Sequence, residues 1–67
     1  MRLQDGWTPL HSAAKAGYLN VVTLLVESGA STMAETSGGR IPLWYAAAEG
    51  NVNVVTYLIS QKHDSYR

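Results

Sequence analysis

Asp5-Gly6-Trp7-Thr8-Pro9-Leu10-His11-Ser12-Ala13-Ala14-Lys15-Ala16-Gly17 is the stretch that decides the fold of this chain. Thr8 is a helix-capping residue, because its hydroxyl can accept from the backbone N–H groups that a first helical turn leaves unpaired. Pro9 then stands at the first helical position, where a missing N–H costs little. Leu10, Ala13 and Ala14 fall on one face of a helix over Pro9–Ala16, and Gly17 stops it. A second helix is expected over Leu19–Ser28, with Val21, Val22, Leu24 and Leu25 as its apolar residues and Gly29 as its left-handed stop.

The pattern recurs at an offset of 33 residues without a gap. Gly6 falls on Gly39, Pro9-Leu10 on Pro42-Leu43, Ala13-Ala14 on Ala46-Ala47 and Gly17 on Gly50. Asn20-Val21-Val22-Thr23 falls on Asn53-Val54-Val55-Thr56, and Leu25 on Leu58. The second copy therefore predicts helices over Pro42–Glu49 and from Val52 to about Lys62. Between the copies lies Ser31–Arg40, whose tip Thr36-Ser37-Gly38-Gly39 is rich in turn formers.

Composition narrows the classes of function. The chain has 67 residues, no cysteine and a formal net charge of zero. At this size only about 60% of the unfolded surface can be buried, so stability is marginal. Small domains usually add disulfides or a metal, but disulfides are excluded here, and two histidines make a poor metal set. Balanced charge offers no electrostatic case for nucleic acid or a membrane surface. No apolar run approaches the roughly 20 residues of a membrane span. No cofactor is expected.

A period of about 33 residues, with a turn, a helix, Gly, a second helix and Gly-Ala in that order, resembles the ankyrin repeat. Asp5 to Gly17 is similar to the family's first-helix motif, and Val21-Val22-Thr23-Leu24-Leu25-Val26-Glu27-Ser28-Gly29-Ala30 to its second. The resemblance implies an all-α fold of two stacked repeats, 1–34 and 35–67, as part of an α-solenoid. Ser31–Arg40 would be the β-finger joining them, and 1–5 the end of a preceding finger. Such repeats are scaffolds and not enzymes.

A finer resemblance concerns Gly29-Ala30-Ser31, Ala34-Glu35-Thr36, Leu43 to Gly50, Tyr57-Leu58 and His63-Asp64-Ser65-Tyr66. These runs are similar to the end of the ankyrin array in TRPN (NOMPC-type) cation channels, which are gated by mechanical force. That resemblance implies a cytoplasmic segment of a plasma-membrane, homo-tetrameric channel. Its partners would be neighbouring repeats, a following linker domain and the cytoskeleton. The alternative is a soluble adaptor that binds a protein partner.

The second copy departs from the motif where a final repeat would. Thr8 becomes Ile41, His11 becomes Trp44, and Gly29-Ala30 becomes Lys62-His63. Terminal repeats are atypical. This one is more aromatic, where a solvent-facing cap would be more polar, so Trp44 and Tyr57 are expected to dock against a following domain.

Candidate sites follow from the same register. In ankyrin arrays the positions of Trp7, Ser12, Lys15, Arg40, Tyr45 and Glu49 line the concave surface where partners bind, and Trp, Tyr and Arg are common interface anchors. The opposing reading has Trp7 covering the finger and Tyr45 as a packing residue. His11 is expected to tie helix to finger by hydrogen bonds. Ser12 beside His11 is not a nucleophile–base pair, since adjacent helical side chains diverge by about 100°. His63-Asp64 lacks further metal ligands and reads as a helix end. Gly38-Gly39-Arg40 lacks the phosphate-loop pattern and reads as a turn. Thr36 and Ser37 are expected to be exposed hydroxyls at the finger tip.

Overall fold

Each predicted helix is present in the computed structural model, which describes residues 6–61. Helix α1 spans Pro9–Ala16, α2 Leu19–Glu27, α3 Pro42–Ala48 and α4 Val52–Ser60. Ser28 and Glu49, expected as last helical residues, are the C-caps of α2 and α3. The expected continuation of α4 to Lys62, the loss of a stop at Lys62-His63, and the readings of 1–5 and His63-Asp64 fall outside the described residues.

Local chemistry sets the helix ends. Thr8 caps α1 as expected, accepting from the His11 N–H at 3.3 Å. Ile41 has no hydroxyl, and α3 starts without a side-chain cap, carried by Pro42 alone. Gly17 has φ 84°, a left-handed conformation that costs other residues a Cβ clash. That geometry lets Tyr18 N–H reach back to Ala13 O at 3.1 Å and Gly17 N–H to Ala14 O at 3.3 Å. Two orphan carbonyls of α1 are thereby satisfied.

The helices form two antiparallel pairs, stacked in parallel. Helix α1 packs chiefly on α3, and α2 on α4. The core is Leu10, Ala13, Ala14, Val22, Ala46, Val54 and Leu58. Ala14 and Ala46 are fully buried between α1 and α3, where small side chains allow the backbones to approach closely. Such alanines also lose little side-chain entropy on ordering.

The connector between the pairs differs from the expected β-finger. No strand occurs among the described residues. Its tip is a turn in which Gly39 N–H donates to Thr36 O at 2.8 Å and Thr36 N–H to Arg40 O at 3.1 Å. The arms are too short for a ladder, and an isolated two-stranded hairpin is marginal in water. Thr36 is half-buried and its hydroxyl accepts from Arg40 N–H at 3.4 Å, so of the two expected exposed hydroxyls only Ser37 is exposed.

Translation by 33 residues carries one junction onto an open face. Pro42, Ala46, Val54 and Leu58 are buried where the second pair meets the first. Their counterparts Pro9, Ala13, Val21 and Leu25 line a shallow apolar depression of ≈ 560 Å³ on the first pair. On the far side, Ala14 and Val22 are fully buried, while their counterparts Ala47 and Val55 are exposed and half-buried. The two outer faces are thus shaped to complement each other. A heterologous contact of this kind does not close on itself. The 67-residue chain in isolation should therefore associate end to end in sedimentation velocity. Charging either face, by Val21→Glu or Ile59→Glu, should shift it toward monomer. A monomeric wild type that melts cooperatively above about 60 °C, the upper range for mesophile domains, would contradict this.

Candidate functional site

His11 organises the α1/α3 surface from beneath. It is fully buried and meets polar partners at both ring nitrogens. Thr8 N–H donates to Nδ1 at 3.1 Å, and the Thr8 hydroxyl lies 2.8 Å from the same atom. With Nδ1 accepting, Nε2–H donates to Arg40 O at 3.0 Å. The hydrogen-bond pattern thus assigns the Nε2–H tautomer. The His11 side chain and Thr8 form a reciprocal capping box, and the same imidazole holds the next connector. The expectation that this residue ties helix to finger holds.

Aromatic groups cover this network. The Trp7 ring lies 5.3 Å from His11 and 4.8 Å from Tyr45, the latter edge to face at 74°. Tyr45 stands edge-on to His11 at 5.7 Å and to Trp44 at 5.0 Å. The Arg40 guanidinium carbon sits 4.3 Å from the centre of the Trp44 ring. Aromatic pairs at such separations contribute about 0.5–1.5 kcal/mol beyond area burial. A continuous band therefore runs Trp7, Tyr45, Trp44, Arg40.

Ser12 joins the band by accepting from the Trp7 indole N–H. Farther along the same helix faces, Lys15 donates to Glu49 at 3.1 Å, both side chains being about half exposed. The sequence spacing from Ser12 to Lys15 and from Tyr45 to Glu49 keeps these residues in line with the aromatics. All six expected partner-binding residues are thus brought to one surface. Of the two expected docking residues, Trp44 belongs to this band and is 45% exposed. Tyr57 lies on α4, half-buried against the core, and does not join it.

Two relations were not legible from motif matching. The first is a repeated stack. Trp7 over His11 becomes, 33 residues on, Arg40 over Trp44. The same pair of positions holds a flat group over a ring in both copies, with different chemistry. The second is Asn51, whose side-chain amide donates to Ala14 O at 2.9 Å and Lys15 O at 3.0 Å. It caps α1 from the next repeat. A Cβ at Gly17 would stand 2.8 Å from Asn51 Oδ1, so Gly17 is needed for space as well as for its φ. A polar residue just before the α4 apolar run was the available signal.

Nothing on this surface assembles a catalytic centre. Ser12 and His11 are engaged with other partners and do not bond to each other. The N–H groups of Gly39 and Arg40 are consumed within their own turn and do not form a phosphate cradle. Among the described residues there is no cluster of three or more His, Cys, Asp or Glu that could hold a metal. No helix among them is long and apolar enough to cross a membrane.

Stacked helix pairs, each tied to the next connector by a buried histidine, define an α-solenoid. The family model described as "Ankyrin repeats (3 copies)" matches residues 1–66, and the chain belongs to the ankyrin-repeat family. Over 37 residues it is 43% identical to the 2-5A-dependent ribonuclease of Mus musculus. That match covers 55% of this chain and 5% of the ribonuclease.

Three substitutions rank the contacts, read by urea denaturation. Replacing His11 by Ala strands Thr8 N–H and Arg40 O and should cost about 2–4 kcal/mol. Asn51→Ala should cost about 1–2 kcal/mol, because two helix-end carbonyls lose their donor. Glu49→Gln should cost under about 1 kcal/mol, since exposed ion pairs are screened by water.

Proposed function

We propose that this chain is a non-catalytic scaffold that holds a protein partner on its α1/α3 surface. Trp7, Arg40 and Tyr45 are the anchors, with Ser12, Lys15 and Glu49 beside them. The observation that carries this reading is the continuous Trp7–Tyr45–Trp44–Arg40 band, half-buried to exposed. Aromatic residues and Arg concentrate binding energy at interfaces because they bring large area at low entropy cost. The repeats divide at 34/35, so the surface is built from both copies and neither carries it alone. Partner capture by wild type should fall about tenfold or more on Arg40→Ala and on Tyr45→Ala, with helical circular dichroism retained. Unchanged capture for both variants would refute the reading.

A second reading takes the chain as part of the ankyrin spring of a TRPN-type, mechanically gated channel. It rests on the sequence runs that resemble the end of that array. Its physical support is that successive repeats are linked by discrete contacts, His11 to Arg40 O, Asn51 to α1 and Lys15 to Glu49. Strain on the stack would load these contacts in series. Trp44 and Tyr57 would then dock against the linker domain that follows, in a cytoplasmic segment of a plasma-membrane tetramer with a cytoskeletal partner. Reading the residues beyond Arg67 in the parent protein tests it. Six membrane-spanning segments downstream are expected, and their absence would end this reading.

A further inference from the structure

The α1/α3 band is uneven in charge. Lys15 is neutralised by Glu49 at 3.1 Å. Arg40 has no carboxylate within ion-pairing distance among the described residues. It is nonetheless held in place from both ends. Its carbonyl accepts from His11 and from Thr36 N–H, its own N–H donates to Thr36, and its guanidinium rests on Trp44. A guanidinium stacked on a ring keeps its edge N–H groups free, and those groups match a carboxylate in a bidentate fork. Because the side chain is already ordered, a ligand loses less entropy in using it.

Beside that cation stands an exposed aromatic step. Trp44 and Tyr45 meet edge to face with centroids 5.0 Å apart, and Arg40 lies 4.3 Å from the Trp44 ring. In an extended peptide, side chains two residues apart share a face and stand about 7 Å from each other. That spacing lets one side chain meet Arg40 while the other covers the Trp44–Tyr45 step.

We infer that the Arg40–Trp44–Tyr45 corner is a binding site for an extended protein segment bearing an Asp or Glu two residues from an apolar side chain. This rests on the scaffold reading above and names the chemistry of the partner. The carboxylate pairs with Arg40 and the apolar group packs on Trp44 and Tyr45. Glu49 gives the site a direction, since an acidic residue placed at the Lys15–Glu49 end meets a cation already paired and a like charge.

The chain's two tryptophans both lie in the band, so their indole N–H resonances report binding directly. The probes are the peptide acetyl-Ala-Glu-Ala-Leu-Ala-amide and its Gln-for-Glu twin, titrated to about 10 mM, a range that captures millimolar affinity. The Glu peptide should move the Trp44 indole more than that of Trp7, which is bonded to Ser12. Its affinity should exceed that of the Gln twin about tenfold. Arg40→Gln should abolish that preference and Arg40→Lys should retain only part of it. Both variants keep the backbone bonds at this position, and circular dichroism checks their fold. Equal binding of the two peptides, or a preference that survives Arg40→Gln, overturns the charge-reading site while the scaffold reading stands. If neither peptide binds, this inference falls, and the scaffold reading falls with it only if partner capture is also unchanged by Arg40→Ala and Tyr45→Ala.

Discussion

A single buried imidazole connects everything that distinguishes this chain. His11 completes the cap of α1 through Thr8 and, from its other nitrogen, holds the carbonyl of Arg40 in the next connector. Buried polar groups are tolerated only when paired, and here each pairing serves a different level of structure. The Thr8 bond is local and starts a helix. The Arg40 bond is long-range and sets where the second helix pair begins. Fixing Arg40's backbone also aims its side chain, so the position of the guanidinium over Trp44 follows from a histidine 29 residues upstream.

The second copy keeps the architecture while changing the chemistry. Ile41 and Trp44 replace the residues that form the capping box in the first copy, yet α3 forms at the same register. Pro42 at its start and the buried Ala46 against α1 are sufficient, because in short helices tertiary packing outweighs local propensity. What the substitution alters is the surface. Where Trp7 covers a buried imidazole, Arg40 covers a half-exposed indole. The change turns a structural stack into a solvent-facing cation on an aromatic plate.

Contacts between repeats divide by strength in a way that matters for a scaffold. Asn51 and His11 reach carbonyls in dry or half-dry positions and hold the stack in register. The Lys15–Glu49 pair crosses the same junction at the surface, where solvent weakens it. It contributes more to the charge pattern of the binding face than to stability. By neutralising Lys15, it leaves Arg40 as the cation available to a ligand.

The 33-residue identity was sufficient for helix number, helix order and the glycine stops, because these depend on spacing and on residues with few backbone options. The family followed from the same pattern, as did the role of His11. The connector was less legible. Gly38-Gly39 marked a turn, but only the structure shows that its arms do not pair as strands. Asn51 as a cap on the preceding repeat, and the order in which Trp7, Tyr45, Trp44 and Arg40 touch, were decided by tertiary packing alone. Periodicity places a side chain on a face of its own helix. Which groups meet across two helices depends on the separation and rotation of those helices, and the buried alanines between α1 and α3 set both.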